Sequence, residues 1–183
     1  MPTPIPTPEP SQPSPPLAVQ SEREAAARNE VNRLLATLRD PENRLRTGVL
    51  LVHTDQIPRL PSIAARFNLD TLDYARRVEE EMPVGSRFVT LTADTEVARL
   101  QRLGRESDFA SDPVLLVNAD VILAKLRADE GPHFWRAFTE HIIRPRHGLL
   151  IALPMRATAL LPEAETEQRL KSAHRLAVLP ASL

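Results

Sequence analysis

The sequence has no cysteine among its 183 residues, which removes disulfides, thiolate metal ligands and cysteine nucleophiles together. Charge of one sign is also missing. Twenty-three basic and 24 acidic side chains leave a formal net charge of -1, so the basic face with which a protein holds nucleic acid by itself is not there. No apolar run approaches the ~20 residues that cross a bilayer, and the N-terminus lacks the basic-then-apolar order of a secretory leader. These lacks predict a cytoplasmic protein with no membrane contact, whose contact with nucleic acid would have to run through a partner.

What is present divides the chain in two. The opening "MPTPIPTPEPSQPSPP" sets proline at nearly every second position, which removes backbone donors and favours an extended, polyproline-like tail. Residues 1–20 are read as a disordered proline-rich tail. Residues 21–183 are read as a single domain, for which 42% hydrophobic content is ordinary. It opens on a helix in which Ser21 and Glu24 have capping-box spacing and Ala27, Val31, Leu34, Leu35 and Leu38 share one face.

Beyond Pro41 the pattern alternates. Five short apolar runs, "GVLLV", "RFVTLT", "PVLLVNA", "GLLIALP" and "HRLAVLP", are separated by stretches of helical pattern that include "IPRLPSIAARF" and "DTLDYARRVEEEM". Buried runs of this length between helices predict a three-layer α/β domain around a mostly parallel sheet of about five strands.

In such sheets the ligand sits beyond the carboxyl ends of the strands, so the residues following each run matter most. After "GVLLV" comes "HTDQIPRL", eight residues with the length of a Walker A loop. His53 and Pro58 stand where that loop has glycine, Arg59 where it has lysine, and Leu60 where it has the magnesium-binding hydroxyl. Wrapping a phosphate with backbone N–H groups needs glycine dihedrals, and Pro58 has no N–H to give. After "PVLLV", where a Walker B strand carries its acid and its catalytic glutamate, stand Asn118 and Ala119. Neither is a metal-holding anion or a base. Asp120, one step on, is expected to cap the next helix.

This order of elements resembles the core of AAA+ and related P-loop ATPases, with degenerate Walker A and Walker B motifs. It also weakly resembles small P-loop proteins of phage-defence gene clusters, the BrxF group, which keep an intact P-loop. The resemblance spans about residues 48–180. It implies a P-loop NTPase-like fold, a polar sensor near Leu153, Pro154 and Met155, and an arginine finger near Arg169 or Arg175. His53, Thr54, Asp55, Arg59, Asn118 and Asp120 are then the residues of a vestigial nucleotide or anion site, with no catalytic residue assigned. Neither bound ATP nor magnesium is expected.

The histidines do not make a metal site: His133 and His141 are eight apart and no His-Glu-x-x-His occurs. In a chain with 4% aromatics, "GPHFWRAFTEHIIRPRHG" stands out. Phe134, Phe138 and Ile142 align as a core face, leaving Trp135, Arg136, Arg144 and Arg146 as interface candidates. The expectation is a pseudo-ATPase that binds a protein partner, an adaptor in a larger assembly whose partner could be an active ATPase of a DNA-processing or phage-defence machine. The alternative is an enzyme or nucleotide-binding protein with an atypical site at the strand ends, drawn from Asp55, Arg59, Thr92, Asp94, Asn118, Asp120 and Arg156.

Overall fold

The computed structural model describes residues 17–82 and 91–183. The proline-rich opening and most of the run "RFVTLT" lie outside the described residues. The chain passes through α1 (Leu17–Arg39), β1 (Thr47–Val52), a 3-10 turn (Thr54–Arg59), α2 (Leu60–Arg66), β2 (Asp70–Asp73), α3 (Tyr74–Glu80) and α4 (Ala93–Leu103). It continues through β3 (Val114–Val117), α5 (Ala119–Leu123), α6 (Glu130–Glu140), β4 (Leu149–Pro154), a second 3-10 turn (Thr158–Leu160), α7 (Ala164–Ser172) and β5 (Leu176–Val178).

The five strands form one wholly parallel sheet in the order β2-β3-β4-β1-β5. Side chains alternate across it, as the pleat requires. Leu50, Val52, Leu115, Leu150, Ala152 and Ala177 pack with α1 and α2. Val49, Leu51, Val114, Leu116, Leu149, Ile151 and Leu153 pack with α3 through α7. Burial on both faces is why β1, β3 and β4 read as unbroken apolar runs rather than as alternating ones.

Right-handed crossovers explain the division of helices. From β1 the chain moves three places across the sheet to β2, with α2 on one face. From β2 it moves the opposite way through β3 and β4 to β5, with α3 through α7 on the other face. The direction reverses between β1 and β4, which are hydrogen-bonded neighbours.

Two sequence readings need correction. Asp70–Asp73 is an edge strand paired with β3, not the start of a helix; only from Tyr74 is the segment helical, with the Asp73 carboxylate accepting from the Arg76 N–H at 3.1 Å. Helix α1 begins at Leu17, four residues inside the segment assigned to the tail, so Ser21 lies within a helix rather than at its cap. Val31, Leu34, Leu35 and Leu38 are buried as the periodicity requires. Between Glu22 and Glu30 all residues but Ala27 are exposed.

Gly48 sets how closely α1 approaches the sheet. A Cβ there would lie 2.8 Å from Leu34 Cδ1 and 3.0 Å from the Arg175 carbonyl oxygen, so glycine is needed for helix–strand contact at this point.

Candidate functional site at the carboxyl ends of the strands

The chain departs from β1 and β4 toward opposite faces, which opens a crevice between their carboxyl ends, the place where open α/β sheets bind ligands. A cleft of about 390 Å³ lies there, lined by His53, Thr54, Asp55, Met155 and Arg156. The Met155 N–H donates to the Val52 carbonyl at 2.9 Å and ties the two walls together. The cleft offers one imidazole, one hydroxyl, one carboxylate and one guanidinium, a set suited to a small polar or charged ligand.

The turn after β1 is not a cradle. It is a 3-10 helix with Pro58 inside it, running directly into α2. The buried Gln56 fixes it: its Oε1 accepts from the His53 N–H at 3.1 Å and its Nε2 donates to the Pro180 carbonyl at 2.6 Å. This side chain joins the exits of β1 and β5. Leu60 is core, buried with Ile63 and Ala64.

The sequence-predicted residues disperse. Arg59 donates to the Leu183 carbonyl at 2.9 Å and does not line the cleft. Asn118 adopts a left-handed conformation, φ 58°, at the end of β3, and its Nδ2 donates to Asp73 Oδ2 at 2.8 Å. Asp120 does not cap α5, which is entered through Asn118 without a side-chain cap. Thr92 caps α4 by accepting from the Thr95 N–H, and Asp94 meets His133 Nε2 at 2.9 Å. Of the polar residues expected at the strand ends, His53, Thr54, Asp55 and Arg156 share one cleft.

The two finger positions differ: Arg169 is exposed on α7 and Arg175 is inside the fold. Arg175 is buried, donating to the Thr47 and Thr139 carbonyls at 2.6 and 3.0 Å and to the Thr47 hydroxyl. Burial pushes its pKa down to about 10. Arg169 pairs with Glu140 at 2.6 Å.

Trp135, expected on the surface, is turned into the fold. It is buried among Phe134 and Phe138, with its indole N–H donating to the Leu160 carbonyl at 2.9 Å. Arg136 is exposed on α6, while Arg144 and Arg146 are exposed in the loop that leads into the amino end of β4. A larger hollow of about 420 Å³, lined in part by Trp135, lies between the α5–α6 turn and the second 3-10 turn, and its charged lining residues are Arg127 and Glu163.

Sequence reasoning also missed a polar network between α3 and α4. Glu96 is fully buried, accepting from the Tyr74 hydroxyl at 2.8 Å and from Arg99. Glu81 gathers Arg99 and Arg102 at 2.8 Å and Arg77 at 3.3 Å. Burial first, then the Glu96 charge, raise the Tyr74 pKa well above the ordinary tyrosine range. Burial would raise Glu81, but hydrogen bonds and charge from Arg99, with Arg102 and Arg77, outweigh it and lower its pKa. Burial would lower Arg99; the two carboxylates outweigh that and hold it protonated. Same-helix pairs also form within "RRVEEEM"; the signal that could have found Glu96 is its helical spacing with Ala93, Val97, Leu100 and Leu103, which puts a charge on the buried face of α4.

Among the described residues no three of His, Asp and Glu are grouped as a metal site requires, and no helix is long and apolar enough to cross a membrane. No protein-family model matches the sequence, and no match is found among curated proteins or solved structures.

Proposed function

We propose that this chain is a non-hydrolysing α/β binding module, P-loop-like in layout, that serves as an adaptor subunit in a larger assembly. The observation that carries the reading is the turn after β1: a 3-10 helix containing Pro58 and pinned by Gln56 to Pro180. It has no loop of backbone donors to wrap a triphosphate. Asn118, at the Walker B position, is engaged with Asp73. The strand order supports the P-loop-like layout, because β4 lies between β1 and β3; a sensor strand has to sit between the phosphate loop and the metal-binding acid to read the terminal phosphate. An active ATPase of a DNA-processing or phage-defence machine as the partner rests on the resemblance alone.

The test is phosphate release by the purified protein with ATP and magnesium. The expected result is the buffer rate. Magnesium-dependent turnover that is lost in Asp55→Ala, which alters the cleft and leaves Gln56 in place, would overturn the reading.

One observation favours a second reading, a small-ligand site without P-loop chemistry: the cleft stands at the reversal of strand order and holds Asp55 and Arg156 on opposite walls. Calorimetric titration with ATP and with inorganic phosphate checks it. Binding that Arg156→Glu abolishes would establish it, and the absence of heat with either ligand would remove it for those ligands.

A further inference from the structure

The sheet has one edge whose pairing groups can be assigned bond by bond. The Val49 N–H donates to the Arg175 carbonyl and the Leu179 N–H to the Leu51 carbonyl, both at 2.8 Å, and Leu50 is in register with Ala177. Residues 175, 177 and 179 therefore turn their backbone toward β1. By the alternation of a parallel ladder, Leu176 and Val178 turn theirs outward. Among the described residues β5 pairs with no other strand.

This edge lies in a groove of about 280 Å³ with β5 along its floor. Glu30 and Arg33 of α1 form one wall, and Lys171 and His174, at the end of α7, form the other. Two cations and an imidazole face a single carboxylate. Lys171 shares its charge with Glu167 at 2.6 Å, whereas Arg33 is exposed and makes no ion pair among the described residues.

We propose that the outer edge of β5 takes an extended, acidic segment of a partner protein as a sixth strand. Backbone bonds to Leu176 and Val178 would supply affinity, and side chains directed between α1 and α7 would supply selectivity for acid. The inference rests on the binding-module reading only in taking the occupant to be a protein. A second copy of this chain using the same edge is disfavoured, because it would set Arg33, Lys171 and His174 against themselves.

The probe is a short fluorescein-labelled peptide alternating valine and glutamate, followed by anisotropy with the full chain. Saturable binding is expected, and the valine–lysine counterpart should bind about tenfold more weakly or less. N-methylation of the alternate residues that face β5 should weaken binding by a similar factor, because a ladder donor is lost while the protein is untouched. In the protein, Val178→Pro removes an outward donor and leaves the bonds of residues 175, 177 and 179 to β1 in place. Arg33→Glu with Lys171→Glu should reverse the preference toward the lysine peptide.

Absence of saturable binding, or binding indifferent to N-methylation, would overturn the proposal and leave the short strand and its basic rim as an edge protected against pairing. Tighter binding after deletion of residues 1–16 would overturn it in favour of this chain's own N-terminal segment. Self-association that Val178→Pro abolishes would overturn it in favour of a second copy. ATP turnover would refute the preceding reading without touching any of these outcomes.

Discussion

At the scale of single residues, the two side chains that decide most are polar and buried. Gln56 holds the exits of β1 and β5 together through one accepted and one donated hydrogen bond. Gln56→Ala should cost about 1–2 kcal/mol in chemical denaturation, since it leaves the His53 N–H without its acceptor and the Pro180 carbonyl with only the Leu183 N–H, at 3.3 Å. Tyr74 is the sequence's single tyrosine, so tyrosinate absorbance reads this site alone. Its raised pKa means that the folded state resists ionisation. Stability from this group is complete below about pH 10, the ordinary tyrosine value, and is lost as pH rises above it, because the unfolded chain ionises first. Tyrosinate should therefore appear together with the loss of circular dichroism, not before it. Tyr74→Phe should flatten that alkaline decline and cost about 1–2 kcal/mol at neutral pH, because Glu96 keeps Arg99 but loses the hydroxyl. Neither role was legible in the sequence. Gln56 occupies a variable position of a nucleotide-loop template, and the charge of Glu96 reads as solvated although the residue shares a helix face with Val97, Leu100 and Leu103.

At the scale of elements, legibility followed burial. β1, β3, β4 and β5 were visible as apolar runs because both of their faces are covered. β2 was hidden: four residues with aspartate at both ends, half-exposed along their length, carry no run to read. Their pairing with β3 and the cap that Asp73 provides are tertiary facts. In the turn after β1 the missing glycines and Pro58 were legible because they are local properties; its 3-10 form depends on Gln56 reaching Pro180, far away in the chain. The aromatic segment shows the opposite failure. Trp135 reads as surface from helical spacing, but the second 3-10 turn folds over it and supplies Leu160 as an acceptor. Helix α1 yields a prediction at this scale. Gly48→Ala should cost about 1–3 kcal/mol in thermal or chemical unfolding, because the added methyl meets the Leu34 side chain and the Arg175 carbonyl. Leu34→Ala made together with it should recover part of the loss, a coupling that a double-mutant cycle measures directly.

At the scale of the whole molecule, the strand order places β1 between β4 and β5, so its neighbours on both sides come from the second half of the sequence. Removing residues 176–183 should abolish cooperative unfolding altogether, as limited proteolysis and near-ultraviolet circular dichroism would show, because it exposes one edge of β1 and leaves Gln56 without Pro180. The arrangement also sets a schedule for synthesis. The earliest partner β1 meets is β4, with Thr47 in register with Leu149, more than a hundred residues later, and at ~5–20 residues per second that is a delay on the order of 10 s. Throughout it, six consecutive residues destined for full burial, Thr47–Val52, have no strand to join. Arrival of β4 and then of β5, the strands that flank β1, closes this sheet, and the interval before β4 is when a chaperone would have "TGVLLV" to hold.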